Sequence, residues 1–160
     1  MAWTNSKVFQ RFLTNRIGNV TAFDYDADTI KAALYNTTTT PDNDVATDVL
    51  TGYNGAASQW VVANEVIDSS GGGTDWPAGG VALGTKTVDV SVADFVSIRA
   101  ASVASGAAAD IAAAFGCLVY DDTLANKPGM CYNYFGGTQS VTAGTFTIVW
   151  HANGVVRFTL

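Results

Sequence analysis

A chain of 160 residues with 48% hydrophobic content can bury one substantial core and is too short for two ordinary domains, so residues 1–160 are expected to form a single domain. Eight Lys and Arg against fourteen Asp and Glu, a net charge of −6, exclude a nucleic-acid grip, which depends on cationic contacts to phosphate. Only 14% of residues are charged, which suits either a chain packed against neighbours or a compact β domain with Thr, Ser and Asn outside.

No apolar run approaches the ~18 to 20 residues that span a bilayer, and no secretory leader opens the chain, so folding in the cytoplasm where it is made, with no membrane partner, is expected. Residues 5–18 are predicted to form the one clear helix. Val8 and Phe12, Phe9 and Leu13 recur four apart and Ile17 continues the stripe, with Asn5 or Ser6 as N-cap and Gly18-Asn19 as the stop. Lys7, Arg11 and Arg16 precede the first acid, Asp24, so this segment carries +3, and the remainder, fourteen acids against five cations, −9. Residues 1–20 are therefore expected to be a helical arm able to dock on an acidic surface, although basic residues near a helix C-terminus also follow from the macrodipole.

Asp24, Asp26 and Asp28 alternate as carboxylates do at the start of a calcium loop, but Thr29 and Tyr35 stand where that template needs Gly and Glu. An acidic turn bonded to nearby backbone amides is the expectation, with a weaker hard-cation site left open; no cofactor or metal is assigned. Residues 29–36 read as a strand, with Ile30, Ala32 and Leu34 alternating against Lys31, Ala33 and Tyr35, and residues 37–44 break it. Residues 45–80, small, polar and Gly-rich around an apolar island at 59–67, are predicted to be one long loop or insertion with a short helical turn. Gly71, Gly72 and Gly73 neither follow a strand into a helix nor precede a Lys, so they read as hinges and not as a phosphate cradle.

From Val81 the β signal strengthens. Val88, Val90 and Val92 alternate with Asp89, Ser91 and Ala93, predicting a strand with one wet and one dry face, continued after a turn by residues 95–100. The Ala-rich stretch 100–114, interrupted by Gly106, is expected to be loop and then strand. Residues 115–120 and 130–135 make one hairpin, and 146–150 and 155–160 a second around Asn153-Gly154, a pair suited to a type I′ turn. The expected fold class is mainly β (α+β by count): an antiparallel β-sandwich-like domain with one N-terminal amphipathic helix and long loops.

Catalytic chemistry finds little footing. His151 is the only histidine and flanks a turn, and Cys117 and Cys131 lack zinc-site spacing and read as buried reduced thiols. Trp60, Trp76, Tyr53, Tyr132 and Tyr134 suit a sugar- or partner-binding aromatic surface, with core packing the commoner use of such rings.

Several blocks together resemble a family of small virion proteins of tailed bacteriophages, notably those of actinobacteria. They are Ala2-Trp3-Thr4-Asn5-Ser6-Lys7, Asp28-Thr29-Ile30-Lys31-Ala32-Ala33-Leu34-Tyr35, Thr39-Thr40-Pro41-Asp42, Gln59-Trp60-Val61-Val62-Ala63-Asn64-Glu65-Val66 and Trp76-Pro77-Ala78-Gly79-Gly80. The C-terminal third adds Gly116-Cys117-Leu118-Val119-Tyr120-Asp121-Asp122, Cys131-Tyr132-Asn133-Tyr134-Phe135-Gly136-Gly137 and the closing run from Gly144 to Leu160. The resemblance implies a head decoration or cement protein on the outer capsid surface, partnered by the major capsid protein, often trimeric, and carrying no catalytic residues. A tail or fibre-tip receptor-binding module is the alternative. The expected partner interface comprises Trp3, Lys7, Arg11, Arg16, Trp60 and Trp76, with the 45–80 segment filling space between subunits.

Overall fold

The computed structural model describes residues 3–20, 22–44, 48–70 and 73–160, with side chains omitted for 48 and 49. The elements in chain order are β1 (Lys7–Val8), α1 (Gln10–Ile17), β2 (Ile30–Tyr35), α2 (Asp48–Thr51), a 3-10 turn (Val62–Asn64), β3 (Glu65–Val66), β4 (Val81–Ala82), β5 (Thr87–Asp89), β6 (Phe95–Arg99), β7 (Val103–Ala104), β8 (Ala109–Asp121), β9 (Gly129–Gly144), β10 (Thr147–Ile148) and β11 (Val156–Thr159). The fold is mainly β and antiparallel throughout, a sandwich-like domain with one two-turn helix near its N-terminus. The main sheet runs β1-β9-β8-β2-β3, with β4 also on β2; β5, β6 and β11 form a second sheet in the order β11-β6-β5, and β7 pairs with β10.

β2 is central and covered on both faces, contrary to the half-buried alternation expected of it. Its register on β8, from Ile30↔Asp121 to Tyr35↔Gly116, places Tyr35, Leu118 and Tyr120 on one face and Ala32, Leu34, Cys117 and Val119 on the other, and all are buried. Trp3, Phe9 and Trp60 cover the first face: Trp60 meets the Tyr35 ring at 5.0 Å, and Trp3 meets Tyr132 edge-on at 5.7 Å. The β8–β9 hairpin has the expected core, Cys117↔Asn133 and Val119↔Cys131, and extends well beyond it through bulged register shifts. Cys117 and Cys131 are buried free thiols, and desolvation pushes Cys131 up to about 12.

The helix begins later than its apolar spacing suggests. Lys7 and Val8 are a strand on β9, and the Phe9 N–H donates to Met130 O at 3.0 Å, so the chain stays extended until Gln10. Ser6 does not cap the helix; its Oγ accepts the Tyr134 N–H at 3.0 Å. Asn19 turns left-handed after the helix (φ 50°), and Ile17, expected on the apolar face, is 86% exposed.

The segment expected to be a long surface excursion is instead anchored in the core. Trp60 and Trp76 are fully buried, and β3 pairs Leu34↔Val66 and Tyr35↔Glu65, so two indoles and a strand pair give it the burial its composition hides. Gly71 and Gly72 lie outside the described residues. The C-terminal hairpin also differs from expectation, because β10 pairs with β7 and β11 with β6, leaving only a His151↔Gly154 bridge between the two runs. Gly154 has φ 98°, but Asn153 is not left-handed, so the turn is not type I′; a Cβ at Gly154 would meet Ile98 O at 2.4 Å.

Candidate interaction surface

Of the six residues expected at a partner interface, three belong to the core. Trp3, Trp60 and Trp76 are buried, because each indole is enclosed by other rings: Trp3 by Trp60, Phe115 and Tyr132, and Trp76 by Phe146 at 5.7 Å. Lys7 is exposed on β1. Arg11 and Arg16 are half-buried and engaged within their own chain, and the Arg16 guanidinium lies 5.3 Å from the Phe12 ring and 4.7 Å from Phe23.

The acidic run behaves as a backbone-bonded turn. Asp24 Oδ1 accepts the N–H groups of Asp26 and Ala27, both at 3.2 Å, and Asp28 Oδ2 accepts that of Asp24 at 2.8 Å. Among the described residues no three His, Cys, Asp or Glu side chains are gathered as metal ligands would be, and no helix is long and apolar enough to cross a membrane. His151 is the turn-flanking residue its position suggests, exposed, with Nδ1 accepting the Asn153 N–H at 3.1 Å.

The most distinctive surface is on the β11-β6-β5 sheet. Cross-strand partners share a face, so Val156, Ile98 and Val88 form one row. Its inner members are buried, at 8% and 6% exposure, but Val88, Val90 and Val92 are 49%, 69% and 49% exposed. Of the alternation predicted over residues 88–93 the strand realises only Thr87–Asp89: Val88 shares the face of Ile98 with its outer side uncovered, and Val90 and Val92 follow β5 outside the strand. The opposite face is polar and internally paired: Arg99 Nε meets Asp89 Oδ2 at 2.7 Å, and Arg157 lies 3.3 Å from the Phe95 ring centroid. Bonds from Ser91, with the Arg99 charge beside it, hold the Asp89 carboxyl below the ordinary range. On the apolar side a groove of about 500 Å³ separates Ile98 and Phe158 from Phe12, Leu13 and Phe23.

Two further polar features stand out. Glu65 receives the Tyr53 hydroxyl at 2.8 Å and the Gly79 N–H at 2.7 Å, yet burial still raises its carboxyl above the usual value. Between β9 and β10 a groove of about 320 Å³ is lined by Tyr134, Phe135, Val149, Trp150 and His151. Among the five rings singled out in the sequence, Tyr134 is the one that reaches this groove, and Trp150 is an aromatic that sequence reasoning missed because it reads as a strand terminus. No protein family, curated protein or solved structure matches the chain.

Proposed function

We propose that this chain is a structural subunit of a tailed-bacteriophage virion: a decoration or cement protein that binds the major capsid protein on the outer surface of the head as a homo-oligomer, a trimer, and performs no catalytic step. The observation that carries this reading is the exposure of Val88, Val90 and Val92, on the edge strand β5 and the segment that follows it, which their own chain does not cover. Such an edge is a contact surface waiting for another chain. The sequence blocks that resemble actinobacteriophage virion proteins supply the setting. A subunit that binds the closed shell more tightly than the open one stabilises it by mass action, and symmetry repeats that gain at every site.

Immunogold labelling of intact particles tests the proposal. Uniform label over the head is expected; label confined to the tail tip, or none, overturns it. The Tyr134, Phe135 and Trp150 groove favours a second reading, a tail or fibre-tip module that binds host carbohydrate through aromatic faces. Tip labelling together with glycan binding lost in Trp150→Ala would establish that alternative.

A further inference from the structure

We propose that residues 87–92, β5 and its continuation, pair edge to edge and antiparallel with the same segment of a second copy, about a two-fold axis through Val90. The inference rests on the contact-surface reading above and specifies its partner.

The sheet order β11-β6-β5 leaves the outer edge of β5, Thr87–Asp89, with no partner strand among the described residues. Residues 90–92 run on from it outside any strand into the turn that Phe95 N–H closes on Val92 O at 3.3 Å, so pairing with a second copy lengthens the strand through them. Exposed edges in natural proteins are guarded by shortness, lysine, proline, bulges or inward charges, because an open row of N–H and C=O groups templates another strand, and of these guards β5 has only its short length. Residues 87–92, Thr-Val-Asp-Val-Ser-Val, contain no lysine or proline, and their single charge, Asp89, is neutralised within its own chain by Arg99.

The segment is also self-complementary. Antiparallel pairing centred on Val90 sets Val90 opposite Val90 of the second copy, Val88 opposite its Val92, and Asp89 opposite its Ser91. Valine meets valine on one face, and hydroxyl meets carboxylate on the other. For a chain of net charge −6 the last point matters, since the register brings no acid against an acid. A register shifted by one residue would put valine against polar side chains and discard the apolar contact. Because the contact is isologous it produces dimers, and where the chain also forms a trimer it joins one trimer to the next across two-fold positions of a lattice.

The test uses the full chain in solution, without particles, so that its failure is distinguishable from failure of head labelling. Directly opposite residues in antiparallel strands lie ~4.5 to 5.5 Å apart at Cα, within disulfide reach. Val90→Cys, oxidised with diamide, is therefore expected to migrate as a covalent dimer on a non-reducing gel. Val88→Cys alone is expected to cross-link about tenfold less, because its opposite number is Val92, and the Val88→Cys/Val92→Cys double variant to recover. The native thiols, 0% and 2% exposed, do not compete. Val90→Lys leaves folding intact at this exposed position, checked by an unchanged melting curve, and lowers the mass seen by light scattering by half for a simple dimer or to that of the single trimer where trimers were linked. Failure of Val90→Cys to cross-link, equal cross-linking by Val88→Cys alone, or an unchanged mass for Val90→Lys would each overturn the pairing.

Discussion

Trp3 rests on Gly116 with no room between them. A Cβ at position 116 would stand 2.1 Å from Trp3 Cζ3 and 2.5 Å from Asn133 O, one of them a ring fixed by three aromatic neighbours and the other a backbone atom. Gly116→Ala is therefore expected to displace the indole and lower stability by ~1 to 3 kcal/mol, the usual range for overpacking, measured as a lower midpoint in thermal or urea unfolding. A loss below ~0.5 kcal/mol would mean that Trp3 is not held as described. The same pair shows what a residue-level reading of the sequence can and cannot deliver. Trp3, Trp60 and Trp76 present a large apolar body and one polar tip whether they face a partner or a core, and nothing beside them in the chain reveals the ring that will enclose each one. The acidic turn and His151 were legible because their partners are two to four residues away.

Elements made by neighbours in sequence follow the same rule. The β8–β9 hairpin and β2 were readable, whereas β11 and β10 find their partners in β6 and β7, across connections that leave no local mark. Residues 68–70 are the clearest case of structure hidden by polar composition. Asp68, buried despite its charge, accepts the Ser70 hydroxyl at 2.8 Å and the N–H groups of Ser70 and Asp110 at 2.9 Å, and thereby ties this loop to β8. Those bonds, led by that from Ser70, lower its pKa from 3.8 to about 2. The folded state thus binds this proton less readily than the unfolded one, so the contribution is complete above the ordinary value, 3.8, and is lost as pH falls through about 2. Asp68→Asn places an amide N–H₂ where an acceptor is needed. It is expected to lower the melting midpoint at pH 7, with the difference from wild type shrinking as the pH approaches 2. A difference independent of pH would assign the effect to shape and not to charge.

For the whole molecule, the charge division between the first twenty residues and the rest remains the feature most open to test by binding. Removing the N-terminal segment is uninformative, because Trp3, Phe9 and Phe12 are core residues and a truncated chain would lose its packing along with its charge. Lys7 offers a cleaner probe. Its backbone is held by β9 opposite Tyr132 while its side chain is exposed, so Lys7→Glu reverses a charge and leaves the strand in place. Unfolding midpoints should agree with wild type to within ~0.5 kcal/mol, as for other surface substitutions. Under the proposed decoration role, a charge at the rim of a contact acts mainly through the rate of association, so the occupancy of Lys7→Glu on heads lacking the wild-type chain should fall several-fold at low salt. Screening over roughly 4 Å at ~0.5 M salt should bring the two proteins back together. Equal occupancy at low salt would end the docking role of the basic segment and leave the uncovered valine edge as the proposed contact surface still to be tested.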